Sequence, residues 1–213
     1  MFWKLSMTYG LAAVALVALV LGTIAWRFVY FWGPFAWTGE PVRLARVLRI
    51  EPGMHVADIG AGDGALAVAM ASRVGTGGQV YATELAPERR AAIEARARRA
   101  SARNVRTITA TQTETGLPEG CCDAIYLRAV FHHIPDRATF AAHVARALRP
   151  AGRVAVIDFA PGALWFHGAD HGVAPDVVLQ SFQMAGLRVR ERVDHWGSGM
   201  FLLAFEREGR GNP

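Results

Sequence analysis

The chain has 213 residues, 52% of them hydrophobic and 19% charged, with a mean hydropathy of +0.20 and a formal net charge of +5. That apolar fraction excludes intrinsic disorder, glycines without a three-residue period exclude collagen, and the presence of only two cysteines excludes a disulfide scaffold. The length accommodates one domain of ordinary size with an appendage.

The apolar excess lies at the front. From Leu5 to Trp26 there are 22 residues without a charge, interrupted only by Ser6, Thr8 and Thr23 among polar side chains. As a helix this stretch spans about 33 Å against a hydrocarbon core of about 30 Å. Four of the six tryptophans (Trp3, Trp26, Trp32 and Trp37) fall near its ends, where interfacial rings are expected. A cleaved signal is disfavoured because bulky Ala25-Trp26-Arg27-Phe28 stands where small residues would be needed. The expectation is a membrane anchor with aromatic flanks over 1–32, a juxtamembrane linker over 33–41, a globular domain over 42–208 and a tail over 209–213. Arg27, Arg43, Arg46 and Arg49 follow the span whereas only Lys4 precedes it, so the positive-inside rule predicts a single-pass protein with a cytoplasmic domain.

Beyond the linker, β-rich runs alternate with helical ones. Strands are predicted at 55–58, 79–83, 105–109, 124–127, 153–158, 187–193 and 200–205, and helices at 65–74, 87–101, 137–148 and 175–185. The alternation indicates an α/β fold, a parallel sheet covered on both faces. The last two strands are joined by a turn at Gly197-Ser198-Gly199, which predicts one antiparallel strand. Ligands in such a sheet bind beyond the carboxyl ends of the strands.

The first strand runs into Asp58-Ile59-Gly60-Ala61-Gly62-Asp63-Gly64, a loop whose glycines allow tight turning and close approach of a ligand to the backbone. Gly60, Gly62 and Ala65, with Glu84 downstream, also satisfy the dinucleotide pattern, so an NAD(P)- or flavin-binding oxidoreductase stands as a rival. Asp58 weighs against it: a carboxylate there repels a pyrophosphate and attracts a ligand bearing ammonium and sulfonium charges. Arg89, Arg90, Arg96, Arg98 and Arg99 crowd one predicted helix and read as a solvated face, with lipid head groups as the functional alternative. Nucleic acid is not an expected partner, because no recognition motif accompanies the charge. Cys121 and Cys122 are expected to remain unbridged in a turn before a strand, as neighbours suit a reducing compartment better than a strained bridge.

Taken together, Val56–Gly64, Glu84, the strand from Asp123 into Phe131-His132-His133-Ile134-Pro135-Asp136, and Leu148-Arg149-Pro150-Ala151-Gly152-Arg153 resemble the class I S-adenosylmethionine-dependent methyltransferases. The branch they resemble is that of the small quinone C-methyltransferases. The resemblance covers roughly Pro41 to Glu206 and implies a Rossmann-like, seven-stranded sheet with a reversed terminal strand. It implies S-adenosylmethionine as cofactor, with Asp58, Gly60, Gly62 and Gly64 under its amino-acid part, Glu84 on the ribose hydroxyls and Leu85 beside the adenosine. The adenine contact falls to Gln112 or Thr113, where this chain departs from the family's usual acid. Arg128 is expected at the cofactor or substrate pocket, either holding an anionic substrate group or pairing with Asp158. His132 and His133 are the candidate catalytic bases, and His167, Asp170 and His171 lie in a segment that covers the substrate in such folds. No metal is expected, since no recognised ligand spacing surrounds these histidines. The implied reaction is methyl transfer to a small, hydrophobic or membrane-associated acceptor; a membrane-bound cofactor-binding protein without turnover is the third reading.

Overall fold

The computed structural model describes residues 16–24, 39–163, 172–197 and 199–207. The chain divides into two compact units, Met1–Glu40 and Pro41–Pro213. In the first, residues 16–24 are helical and their aliphatic side chains are exposed. The rest of the predicted anchor lies outside the described residues, and among those described no helix is long and apolar enough to cross a membrane.

The second unit opens with a helix that the sequence reading assigned to linker and domain start, α1 (Glu40–Leu48). There follow β1 (His55–Ile59), α2 (Ala65–Val74), β2 (Gln79–Glu84), α3 (Pro87–Arg99), β3 (Val105–Thr109) and β4 (Cys122–Arg128). A 3-10 turn at Phe131–His133 leads to α4 (Arg137–Ala147), β5 (Leu148–Phe159), α5 (Pro175–Met184), β6 (Leu187–Gly197) and β7 (Met200–Arg207). The seven strands form one sheet in the order β3-β2-β1-β4-β5-β7-β6, parallel except for β7, which runs antiparallel to both neighbours. The strand order reverses direction between β1 and β4, and the loops that carry the chemistry leave the sheet there.

Alternation along the central strands builds two cores. Ile125, Leu127, Val154, Val156, Phe201, Leu203 and Phe205 face α4 and α5, where the Phe182 ring lies 4.8 Å from Phe205 and 5.5 Å from Phe131. Val56, Tyr126, Ala155, Ile157 and Leu202 face the other side, covered by Leu44 and Leu48 of α1, Met70 of α2 and Ile93 of α3. The helix α4 starts on Asp136, whose carboxylate accepts the Thr139 amide hydrogen and is held below its ordinary pKa by the Thr139 side chain first and that amide second.

Two local expectations change. The fifth strand starts at Leu148, not Arg153, because glycine at 152 lets this stretch pass close to Asp123: a Cβ there would lie 2.9 Å from the Asp123 carbonyl oxygen. Cys121 and Cys122, expected to be unbridged, are paired as a disulfide at the buried start of β4, so they carry no inference of a reducing compartment.

The stacked phenylalanines dominate the α4–α5 core, and truncating the fully buried Phe182 to alanine removes their centre. Phe182→Ala is expected to lower unfolding free energy by about 3–5 kcal/mol in urea titrations. A loss under about 1 kcal/mol would mean the core closes over the gap.

Candidate functional site

At the carboxyl end of β1 the chain turns back on itself and is tied to β2. The amides of Gly60 and Ala61 both donate to the Thr83 carbonyl at 3.0 Å. Gly60 has φ of 69° and a Cβ there would collide with the Val130 side chain, so the loop approaches the segment after β4 with backbone alone. Gly64, at φ 77°, starts α2 without a side-chain cap, and its missing Cβ leaves room for Ile93.

Glu84 closes the end of β2 over this loop. Its Oε2 accepts the Gly62 amide hydrogen at 3.0 Å and its Oε1 accepts that of Leu85 at 2.9 Å. A carboxylate offers about four lone-pair sites, so two remain after these bonds, aimed by the backbone that fixes the group. Leu85 is 45% exposed beside it, an apolar surface left open at the mouth of the site. Two of the arginines read as a solvated patch brace the same loops. Arg90 donates to the Glu84 and Leu85 carbonyls at 3.0 and 2.6 Å, and Arg96 bonds both the carbonyl and the carboxylate of Asp63. Arg98, by contrast, makes only a 4.0 Å ion pair with Glu94 on the exposed face.

Asp58 sits behind the loop, 3% exposed, opposite Tyr126 in the β1–β4 register. Burial pushes its carboxyl up to about 7, against the opposing influence of the Tyr126 hydroxyl and the Arg128 charge. Its Oδ2 is buried without a hydrogen-bond partner among the described residues, and the Tyr126 hydroxyl, buried as well, interacts with the Asp58 carboxyl. Burial and the Asp58 charge in turn raise the Tyr126 phenol well above its usual value. Sequence reasoning missed Tyr126, which in a hydrophobic strand reads as core; register with an acid was the only signal available.

A second acid occupies the other face. Asp158, fully buried near the end of β5, accepts from the His132 amide at 3.1 Å and meets His132 Nδ1 at 2.6 Å. It also accepts the Phe159 amide hydrogen at 2.8 Å. The chain reaches this position through Ala129, whose φ of 55° ends β4 and swings the 3-10 turn toward β5. The ring of His133 stacks at a tilt 3.9 Å from that of His132 and is exposed. Of the two candidate bases, therefore, only His132 is bonded to a carboxylate in these contacts. The partner found for Asp158 is His132, while Arg128, the alternative partner considered, bears electrostatically on Asp58.

Gln112 and Thr113 lie in an exposed turn after β3, closed by the Glu114 amide on Thr111 Oγ1 at 2.9 Å. The end of β3 adjoins Glu84 through the Ala110 amide, which places the turn next to the β2 terminus. His143 bonds the Thr113 carbonyl at 3.1 Å. His167, Asp170 and His171 lie outside the described residues.

The arrangement fits S-adenosylmethionine on three observations. An unpartnered buried carboxyl oxygen on Asp58 suits an ammonium, the Gly60 turn leaves a space that a Cβ would fill, and Glu84 presents fixed acceptors to paired hydroxyls.

Comparison with known proteins agrees. Residues 57–156 match the family model described as "Methyltransferase domain". The chain is 28% identical over 155 residues to the nocamycin O-methyltransferase of Saccharothrix syringae, covering 71% of this chain and 49% of that protein. It thus spans about half the length of the curated relative it matches. Among solved structures, a SAM-dependent methyltransferase from Aquifex aeolicus superposes with a TM-score of 0.66 at 23% identity, covering 78% of this chain and 88% of the other. Geranyl diphosphate C-methyltransferase from Streptomyces coelicolor, solved with geranyl diphosphate and S-adenosyl-L-homocysteine, superposes with a TM-score of 0.68 at 16% identity, covering 80% and 79%. At those identities the structural likeness is one of fold.

The raised Asp58 pKa has a consequence for stability. The unfolded carboxyl loses its proton near 3.8 and the folded one near 7, so between these values the folded state alone holds the proton and stability falls as pH rises. Asp58→Asn has no such proton to lose. In urea unfolding from about pH 5 to 7, the stability of the native chain relative to Asp58→Asn is expected to drop by about 1.4 kcal/mol per pH unit. A difference independent of pH would contradict the assignment.

Proposed function

We propose that this chain is a class I S-adenosylmethionine-dependent methyltransferase that transfers a methyl group to a protic group of a small hydrophobic acceptor, with His132 as general base. The observation that carries this reading is the 2.6 Å contact between His132 Nδ1 and the buried Asp158, beside the cofactor cradle. A carboxylate at Nδ1 keeps the proton there, fixes the tautomer and directs basicity to Nε2. It also stabilises the imidazolium formed when Nε2 takes the acceptor's proton.

S-adenosylmethionine, when bound, supplies a methyl group already activated on a sulfonium. The chain's own work is then alignment and proton transfer. Glu84 holds the ribose hydroxyls, Asp58 with the backbone at Gly60, Gly62 and Gly64 holds the amino-acid end, and Leu85 with Gln112 or Thr113 borders the adenine. Arg128 reinforces the ionised form of Asp58. His132 removes the acceptor's proton as its oxygen or nitrogen attacks, so the product leaves neutral and the imidazole is left protonated. The dinucleotide rival is weakened by the same Asp58: a pyrophosphate would meet a buried carboxyl whose ionisation it opposes.

The uncharged stretch from Leu5 to Trp26 serves, in this reading, as a single-pass anchor with the domain on the cytoplasmic side. Its support is its length and the exposed aliphatic side chains of residues 16–24. The methyltransferase unit itself begins at the pole of the cradle, where Arg43 of α1 lies 4.0 Å over the ring of Trp196 and donates to its carbonyl. A lipophilic acceptor bearing a hydroxyl, such as the reduced quinol form of a quinone, suits an enzyme tethered so. The relatives named above act, by their names, on small molecules, which agrees with a small acceptor.

Incubating membrane extract with labelled-methyl cofactor and reading the product by mass spectrometry identifies the acceptor. His132→Gln is expected to lower kcat by about 100-fold or more while leaving cofactor affinity within about twofold. Asp158→Asn is expected to lower kcat as well. An unchanged kcat in His132→Gln would remove the base role. Deleting residues 1–37 is expected to release the chain into the soluble fraction; retention on membranes would overturn the anchor.

A further inference from the structure

At the pole opposite the cradle, where the parallel strands begin, the sheet opens into a cleft of about 480 Å³. Arg49, Arg149, Arg153, Arg188 and Arg207 line it, against the acids Glu51, Asp123 and Glu206. Two of these arginines are taken up by the fold, Arg149 pairing with Asp123 at 2.7 Å and Arg207 donating to the carbonyls of Ala145 and Leu148, and Arg153 is held in part, donating to the Val47 carbonyl at 3.1 Å.

The rest are crowded. Arg188, Arg190 and Arg153 all converge on the Glu206 carboxylate, at 2.6, 3.2 and 3.6 Å. One negative charge faces three guanidiniums. Arg49 adds a fourth at the cleft, with no side-chain partner among the described residues. Burial, together with the charges of Arg49 and Arg190, holds the Arg153 guanidinium below its ordinary value despite the attraction of Glu206. Arg153 is partly buried while Arg49, Arg188 and Arg190 stay exposed around it; like charges gathered so repel one another unless an anion offsets them, and guanidiniums bind phosphoryl oxygens in pairs of parallel hydrogen bonds.

We propose that this cleft binds a compact polyanion of the diphosphate class, gripped by Arg49, Arg153 and Arg188 around Glu206, which Arg190 engages from outside the cleft. The site is separate from the cradle and does not depend on the methyl-transfer reading. The shared chemistry is two adjacent phosphoryl charges, which free diphosphate, a nucleotide or a lipid head group can each present.

The test uses the full-length chain in neutral detergent and a low-salt, phosphate-free buffer. Calorimetry and thermal unfolding are run with sodium diphosphate, with ATP, and with phosphatidylcholine vesicles containing phosphatidylinositol 4,5-bisphosphate. Saturable sub-millimolar binding of at least one is expected, with a rise in Tm, and the tightest of the three identifies the source. The double variant Arg49→Gln/Arg188→Gln, with its unfolding temperature in anion-free buffer as the folding control, is expected to weaken that binding about tenfold or more. Glu206→Gln is expected to tighten it and enlarge the Tm rise, an effect that a merely structural carboxylate would not produce. No saturable binding below about 1 mM by any of the three, or equal binding by the native chain and the double variant, would overturn the proposal.

Discussion

The Glu84 carboxylate, held between the amides of Gly62 and Leu85, is the constraint on which the functional end of this molecule depends. Parallel strands end in open loops, and a glycine-rich loop has the most conformational freedom to lose on ordering. Here that freedom is removed by bonds to β2: two amides on the Thr83 carbonyl and one on Glu84. The arginines of α3 complete the frame from outside by taking carbonyls of residues 63, 84 and 85 that would otherwise point to water. A helix with only Ile93 and Ala97 buried is thus fixed as much by what its arginines reach as by its packing.

Strand pleating then separates two acids that serve different chemistry. Asp58 points to the face covered by α1, α2 and α3, and Asp158 to the face covered by α4 and α5. Asp58 has no hydrogen bond on Oδ2 and is held back from ionising, a state that a neighbouring cation reverses. Asp158 accepts two backbone amides besides its contact with His132, so its carboxylate is fixed in place beside the imidazole. The same residue type, placed on opposite sides of one sheet, answers to a cofactor in one case and to a proton acceptor in the other.

Much of this was legible in the sequence, because alternation of apolar residues and the glycine loop are local signals. The strand sequence, the reversed last strand and the positions of Asp58, Glu84 and His132 all follow from patterns spanning a few residues. What escaped is non-local or masked by other signals. Gly39-Glu40-Pro41 reads as linker, yet proline in a first turn is compatible with a helix start, and Leu44, Ala45 and Leu48 give α1 its buried face. Pro150 and Gly152 likewise hid the front of β5. The pairing of His132 with Asp158, 26 residues apart, and of Arg96 with Asp63, 33 apart, needs the register of the sheet before it can be seen.

The reversal of β7 does more than complete the sheet. Were it parallel, its carboxyl end would lie with the cradle; being antiparallel, it delivers Glu206 and Arg207 to the opposite pole, paired in register with Arg153 and Leu187. Glu206 thereby meets arginines from the start of β6 and from β5, and Arg207 fastens the end of α4 to the start of β5. One change of strand direction therefore gives this sheet two chemically distinct ends, an acid-lined one suited to a cationic ligand and an arginine-lined one suited to an anion. Because the sheet and its two cores stand between them, charge at one end acts on the other only through the whole thickness of the domain, where screening by solvent and salt leaves little direct coupling. Any influence of the basic cleft on the cradle must then pass through the strands that join them, β5 above all, since it carries both Arg153 and Asp158.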